Sequence, residues 1–196
     1  MSIRLPAPAR REQLLATALE VFARQGFHAT SMNDVAEAAG VTKPVLYQHF
    51  DSKRELYLAL LEEVGGRLLR AIGAATVETA DPRLRTERGF AAYFRWVAED
   101  HDSFLLLFGS GARRDEEFAE AVRRVEDQIA GAIAPLITAD IDRDHRRTIA
   151  YALVGLAEGA SRELVQRAAD FDPELLARQV ADLAWAGLRA LRPVDA

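Results

Sequence analysis

The 196-residue sequence contains no cysteine and no long hydrophobic run. Without cysteine the chain has no disulfide, no thiolate nucleophile and no cysteine-based metal site. Its longest apolar stretches, such as Phe104–Phe108, are far too short to cross a bilayer. The basic N-terminal residues are not followed by the apolar segment of a signal peptide. We therefore expect a cytoplasmic protein that has no membrane partner.

Recognisable catalytic motifs are also missing from the sequence. The four histidines are scattered along the chain at residues 28, 49, 101 and 145, with no metal-ligand spacing. Neither a phosphate-binding glycine loop nor a nucleophile elbow is found. We therefore predict that the chain is not an enzyme, that it has no catalytic or metal-ligating residues, and that it needs no cofactor.

The charge of the chain is unevenly distributed. Its formal net charge is −5. Residues 1–54 carry seven basic and five acidic side chains, whereas residues 55–196 carry eighteen and twenty-five. A basic N-terminal part beside an acidic remainder favours a polyanionic partner at the N-terminal end only.

Hydrophobic periodicity indicates helices throughout the chain. Apolar residues recur at helical spacing from Arg10 to Gln25, and Gly26 is a typical helix stop. Further helices are predicted near 53–75, 83–100, 102–109, 115–137, 143–168 and 173–191. Alternating strand patterns of useful length are missing, so the sequence predicts an all-α protein with a three-helix N-terminal domain and a larger helical C-terminal domain.

Two short helices joined by a tight turn are predicted in the N-terminal part. Ser31 and Asp34 have the spacing of a capping-box variant, Gly40 ends that helix, and Thr42 can cap the next one. Leu46 and Phe50 lie four residues apart and give the second short helix a narrow inward face. This arrangement predicts a helix-turn-helix, whose second helix lies in the major groove of DNA.

The outward residues of that second helix are suited to a groove. Lysine and glutamine offer donors to base edges, proline and valine can contact thymine methyls, and tyrosine can hold a phosphate. A pair of short helices with a few cations is also a common surface hairpin. From these residues alone, a helical dimer without DNA binding therefore remains an alternative.

The segment from Arg11 to Leu60 closely resembles the DNA-binding domain of the TetR family of bacterial transcriptional regulators. The matching pieces are LLATALEVFARQGFHATSMNDVAEAAGV and TKPVLYQHFDSKREL. The resemblance implies a homodimer that binds operator DNA through residues 1–54 and holds an effector and the dimer contact in residues 55–196. It implies groove contacts from Thr42, Lys43, Pro44, Val45 and Gln48, and phosphate contacts from Ser31, Tyr47, His49 and Lys53.

Aromatic residues of the C-terminal part are candidates for lining an effector cavity. At helical spacing such residues most often form core, but as a set they can also wall a largely apolar pocket. The predicted ligand-binding residues are Phe94, Phe104, Phe108 and Tyr151.

Small residues in the last two long helices predict a close helix–helix approach. Gly155 and Gly159 lie four residues apart on one helix face, and glycine within a helix costs about 1 kcal/mol relative to alanine. The approach is either within the domain or between two subunits. The resemblance favours the second reading, with Gly155, Gly159, Ala184, Gly187 and Leu188 at the dimer interface.

The whole chain also resembles the branch that includes actinobacterial regulators of fatty-acid synthesis. The pieces that carry this likeness are VTKPVLYQHF, ALVGLAEG and DLAWAGL. The resemblance implies a small lipophilic effector, such as a long-chain acyl-CoA. A repressor is predicted, with a transcriptional activator of lipid metabolism as the alternative. The operator and the target genes do not follow from the sequence.

Overall fold

The computed structural model of the chain describes residues 6–109, 114–166 and 171–192. In these ranges the chain forms helices, turns and loops and no β-strand. The helices are α1 (Ala7–Ala29), α2 (Met32–Ala38), α3 (Lys43–Tyr47), α4 (Lys53–Val77), α5 (Pro82–Glu99), α6 (His101–Phe108), α7 (Glu116–Ile133), α8 (Arg143–Gln166) and α9 (Pro173–Ala190), with a 3₁₀ turn at Ala134–Leu136. The predicted all-α fold is confirmed. None of the described helices is long and apolar enough to span a membrane.

Helix ends lie where local sequence signals predicted them. Gly26 interrupts the helical backbone of α1 with a φ of 76°, a conformation that glycine adopts at little cost. The side chains of Asp81 and Asp172 each accept hydrogen bonds from two backbone N–H groups at the start of α5 and α9. A proline occupies the first turn of both helices, where its missing N–H needs no partner.

The chain divides into two compact units. The first comprises Met1–Val64 and Asp102–Val122, and the second comprises Gly65–His101 and Arg123–Ala196. Helices α4 and α7 therefore contribute residues to both units. The predicted boundary between residues 54 and 55 divides the chain by function and stays a prediction.

An aromatic cluster forms part of the core of the first unit. Phe22 and Phe27 of α1, Tyr57 of α4 and Phe118 of α7 contact one another with ring centroids 4.5–6.1 Å apart. Aromatic pairs at such distances contribute roughly 0.5–1.5 kcal/mol beyond their buried area. The cluster thus attaches the first turn of α7 to the helices that surround the helix-turn-helix.

In the second unit, α5 and α9 pack side by side and antiparallel. Arg83 near the start of α5 pairs with Asp182 in α9 at 3.1 Å, and Arg95 farther along α5 pairs with Glu174 at the start of α9. Exposed ion pairs of this kind contribute about 0–1 kcal/mol each. The larger contribution comes from apolar burial along α5, which includes Phe90, Ala91, Ala92, Tyr93, Phe94, Trp96 and Val97.

Helices α4 and α7 approach closely at a glycine in the second unit. A Cβ atom placed on Gly65 would lie 2.5 and 2.6 Å from the two γ-methyl carbons of Val125. Val125 is itself buried, with 3% of its surface exposed. The close contact of the two helices therefore depends on the missing side chain at residue 65.

Candidate DNA-binding site and ligand-binding region

The turn between α2 and α3 is closed by two backbone hydrogen bonds around Gly40. The N–H of Gly40 donates to the carbonyl of Glu37, and the N–H of Val41 donates to the carbonyl of Ala36, both at 3.0 Å. Gly40 has a φ of 64°, so the turn is a Schellman motif with glycine at its left-handed position. This local geometry sets where α3 begins.

Helix α3 is anchored on one side and exposed on the other. Leu46 and Phe50 are 0% and 1% exposed, whereas 47% of the Tyr47 surface is accessible. The predicted contact residues that are exposed are Thr42, Lys43, Pro44, Tyr47 and Gln48, and those that are half-buried are Val45 and His49. The structure therefore places these seven residues on or beside one short helix, and most of them face solvent.

Ser31 lies at the N-terminus of α2 in the predicted capping box. Its hydroxyl donates to a carboxylate oxygen of Asp34 at 2.8 Å and accepts from the Asp34 N–H at 3.2 Å. The Ser31 N–H donates to the same carboxylate at 2.8 Å, and this hydrogen bond lowers the pKa of Asp34. A phosphate contact from the Ser31 hydroxyl stays a prediction, and it requires that the hydroxyl hydrogen change its acceptor.

Lys53, the other predicted phosphate contact beyond α3, has its ammonium group at the C-terminal end of α1. Nζ donates to the carbonyls of Phe27 and Thr30 at 2.7 Å each and to that of His28 at 3.4 Å. It also lies 4.4 Å from the centroid of the Phe27 ring. Cations stabilise the carbonyl end of a helix, so in this structure Lys53 holds the start of α4 against the end of α1.

Sequence reasoning missed the role of the neighbouring Arg54. Its guanidinium pairs with both carboxylate oxygens of Asp115 at 2.9 and 2.8 Å and with Glu117 at 2.7 Å. It also lies 4.8 Å from the centroid of the Phe118 ring. All four residues belong to the first unit, where they connect the first turn of α4 to the start of α7.

The paired charges shift each other's ionisation. The hydrogen bond from Arg54 lowers the pKa of Asp115 to about 2. The hydrogen bonds to Asp115 and Glu117 in turn raise the pKa of Arg54. A bidentate arginine–carboxylate pair has a fixed geometry. The link therefore fixes the first turn of α4 against the start of α7 more firmly than a single exposed ion pair does.

The predicted ligand-binding residues are divided between the two units. Phe104 and Phe108 belong to the first unit, are 2% and 3% exposed, and contact each other at 5.4 Å. Phe94 belongs to the second unit and is fully buried beside Phe90 at 6.1 Å. Tyr151, also in the second unit, is half-buried, and the Arg147 guanidinium lies 5.7 Å from the centroid of its ring. Their role in ligand binding stays a prediction.

Two buried hydroxyl groups of the second unit were not predicted as site residues. Tyr93 of α5 is 5% exposed and Ser161 of α8 is 0% exposed. Neither hydroxyl has a hydrogen-bond partner among the described residues. Leaving a buried polar group without a partner costs about 1–3 kcal/mol. The hydrophobic periodicity that identifies α5 as a core helix gives no signal for such a pair.

The glycines predicted at the dimer interface face open space in the single chain. A Cβ atom on Gly155, Gly159 or Gly187 would meet no heavy atom within 4 Å. Beside Gly187 on α9, Leu183 is 64% exposed. Leu188 is half-buried, and Ala184 is only 8% exposed, which leaves Ala184 little surface for a partner.

Comparison with protein families gives two matches that together cover most of the chain. Residues 14–60 match the family described as bacterial regulatory proteins, tetR family. Residues 82–187 match the family described as tetracyclin repressor-like, C-terminal domain. The first match contains the helix-turn-helix, and the second begins at the start of α5.

Individual relatives are similar over nearly the whole chain. The HTH-type transcriptional activator FasR of Mycolicibacterium smegmatis is 34% identical over 187 residues, which cover 94% of this chain and 85% of the relative. The HTH-type transcriptional repressor KstR2 of Mycobacterium tuberculosis is 27% identical, with coverage of 94% and 82%.

Solved structures share the fold. A TetR-like transcriptional regulator from Rhodococcus sp. RHA1 has a TM-score of 0.77 at 29% identity and covers 96% of this chain and 100% of its own. The transcriptional regulator FadR from Bacillus subtilis, in complex with stearoyl-CoA, has a TM-score of 0.80 at 19% identity, with coverage of 90% and 98%. At 19% identity the second likeness shows the fold alone.

Proposed function

Because the chain belongs to the TetR family of DNA-binding transcriptional regulators, we propose that it is a dimeric repressor whose operator binding responds to a small lipophilic ligand. The observation that carries the proposal is the two-sided character of α3. Leu46 and Phe50 anchor the helix to the core, while Lys43, Tyr47 and Gln48 are exposed. A helix presented in this way can enter a major groove without disturbing the domain that holds it.

The exposed residues of α3 divide by the chemistry that they offer to DNA. The amide of Gln48 and the ammonium of Lys43 can read base edges, whereas the hydroxyl of Tyr47 is suited to a phosphate. Substitution of Gln48 should therefore change which sequences are preferred. Substitution of Tyr47 should weaken binding to all sequences by a similar factor.

DNA-binding measurements test this proposal directly. The protein is titrated with DNA from around its own gene at several salt concentrations, and Gln48→Ala is compared with Gln128→Ala. Gln128 is an exposed glutamine of α7 in the second unit, so its substitution serves as a matched control. We expect affinity to fall steeply with salt, and only Gln48→Ala to alter sequence preference. Affinity that is independent of salt would contradict the proposal.

The lipophilic ligand is proposed from the buried aromatic residues of the C-terminal part, residues 55–196. The likeness to regulators of fatty-acid synthesis within the family also supports it. Phe94 and its neighbours on α5 provide an apolar wall of the kind that surrounds acyl chains. A long-chain acyl-CoA is therefore the first ligand to test. Titration of palmitoyl-CoA into the protein–DNA complex should change its dissociation constant, and an unchanged constant across chain lengths would contradict this part of the proposal.

Activation of transcription is the second candidate function. It is favoured by the 34% identity to the activator FasR, compared with 27% to the repressor KstR2. Deletion of the gene distinguishes the two functions, because target transcripts rise when a repressor is lost and fall when an activator is lost. Locating the bound site relative to the promoter provides an independent check.

A further inference from the structure

Tyr93 and Ser161 are buried hydroxyl groups on neighbouring helices of the second unit. Tyr93 lies on the apolar face of α5, with its ring 5.5 Å from Phe94 and 6.2 Å from Trp96. Ser161 lies on α8 and is fully buried. Neither hydroxyl has a hydrogen-bond partner within the described ranges. Two unpartnered hydroxyls in one helical layer are unusual, because buried polar groups normally have partners.

The two hydroxyls lie within a small polar environment inside this apolar layer. Burial raises the pKa of Tyr93, whereas the neighbouring Ser161 hydroxyl lowers it. The two hydroxyls therefore lie side by side, although their geometry does not meet that of a hydrogen bond between them. The carboxylates of Glu158 and Glu126 also raise this pKa, and the Arg162 guanidinium lowers it. Glu158 forms an ion pair with Arg162 on the surface of α8. The phenol therefore remains protonated and can donate a hydrogen bond at neutral pH.

The chemistry of this environment selects among possible partners. A protonated phenol and a serine hydroxyl can both donate, so they fit a group with two acceptor lone pairs. Two carboxylates, Glu126 and Glu158, are balanced by only one guanidinium, that of Arg162, so the local charge disfavours another anion in the same place. A neutral carbonyl oxygen, as in a thioester, ester or ketone, meets both conditions.

We propose that Tyr93 and Ser161 together bind a neutral carbonyl oxygen of the lipophilic effector, and thereby distinguish acyl ligands from alkyl ligands of the same length. This inference rests on the ligand-binding function proposed above, and it adds the chemical group that is recognised. The aromatic residues of α5 contact the apolar part of the ligand, and the two hydroxyls fix the position of its carbonyl.

A matched pair of ligands tests the inference. Palmitoyl-CoA and S-hexadecyl-CoA have the same chain length and the same headgroup, but only the first has a carbonyl oxygen beside sulfur. Their dissociation constants are measured with wild-type protein that has been stripped of co-purified lipid. We expect palmitoyl-CoA to bind about tenfold more tightly, because the thioether leaves both hydroxyls without a partner.

Single substitutions then assign the preference to the two hydroxyls. Tyr93→Phe and Ser161→Ala should each reduce palmitoyl-CoA affinity about three- to tenfold and leave S-hexadecyl-CoA affinity within about twofold. Tyr57→Phe is the matched control, because Tyr57 is a buried tyrosine of the first unit. It should leave both affinities unchanged.

Thermal unfolding of the ligand-free protein separates this role from a structural one. Removal of a hydroxyl that has no partner should leave the unfolding midpoint unchanged or raise it, whereas loss of a water-bridged structural hydroxyl should lower it. A lowered midpoint together with equal loss of affinity for both ligands would overturn the inference. Equal affinity of the wild-type protein for the two ligands would overturn the carbonyl inference but not the proposed lipophilic effector. Failure of both ligands to bind would overturn the inference and the proposed effector together.

Discussion

At the scale of single residues, the two lysines of the chain have different environments and therefore different expected roles. Lys43 is exposed on α3, whereas Lys53 donates to the carbonyls of Phe27, His28 and Thr30. Lys53→Ala should lower the free energy of unfolding by about 1–3 kcal/mol, because charged hydrogen bonds at the end of α1 are lost. Lys43→Ala should leave it nearly unchanged. Thermal unfolding of both variants measures the difference.

The same two variants test the phosphate contact that the family resemblance implies for Lys53. Each lost phosphate contact makes the plot of log affinity against log salt shallower by about 0.9. A lower stability with an unchanged salt slope in Lys53→Ala would show that Lys53 positions α4 and does not contact DNA. A shallower slope with unchanged stability would show the opposite.

The link between Arg54 and Asp115 predicts a contribution to acid stability. The pKa of Asp115 is lowered from its ordinary value of 3.8 to about 2 in the folded chain, chiefly by the hydrogen bond from Arg54 and also by the N–H groups of Phe118 and Glu117. Since the folded pKa is lowered, the contribution is present above the unfolded value and is lost as pH falls from about 4 towards 2. Asp115→Asn should therefore show a shallower decrease of unfolding midpoint over this range than the wild type. Parallel decreases in the two proteins would contradict the prediction.

At the scale of helices, two of the three glycines of α4, Gly65 and Gly73, have opposite requirements. Alanine at residue 65 would place its Cβ 2.5 Å from a γ-methyl of the stiff, buried Val125. Gly65→Ala should therefore destabilise the protein by about 1–3 kcal/mol. A Cβ on Gly73 would meet no heavy atom within 4 Å, so Gly73→Ala should stabilise by roughly 0.5–1 kcal/mol. Chemical denaturation of both variants gives the sign of each change in the free energy of unfolding. Equal changes in the two variants would contradict the packing argument.

The helices themselves could be predicted from the sequence because their start and stop signals are local. The Ser31–Asp34 capping box, the left-handed Gly40 and the Asp172 cap act within three residues of where they stand. The apolar spacing of Leu46 and Phe50 likewise identified the inward face of α3. These signals were sufficient for the fold class and for the exposed face that is proposed to read DNA.

Contacts between distant segments could not be predicted in the same way. Arg54 and Asp115 are separated by 61 positions, and Lys53 reaches Phe27 across 26. Single-sequence patterns report which face of a helix is buried, but they do not report which other helix covers it. For the same reason, helical spacing does not distinguish Tyr93 from the other aromatic residues of α5, and its unpartnered hydroxyl became visible only once α5 and α8 were placed.

At the scale of the whole molecule, the open faces of α8 and α9 are the surfaces through which we propose that two copies assemble. Gly155 and Gly159 leave a shallow surface on α8, and Leu183 on α9 exposes 64% of its surface. Burial of these residues against a second copy would offset the cost of glycine within a helix. The operator binding proposed above would depend on this assembly, because two recognition helices about 34–36 Å apart reach successive major grooves.

Substitution of Gly155, a glycine predicted at the dimer interface, tests the proposed dimer. Gly155→Leu should fit within the single chain, since no heavy atom lies within 4 Å of its Cβ position, yet it should block the close approach of a second α8. We expect the dimer dissociation constant in sedimentation velocity to rise at least about tenfold, with a matching loss of operator affinity. Gly131→Leu is the matched control, because Gly131 is a helical glycine of α7 with equally open space. If both variants dimerise and bind operator like the wild type, the dimer interface does not include Gly155. The open faces of α8 and α9 would then require another explanation.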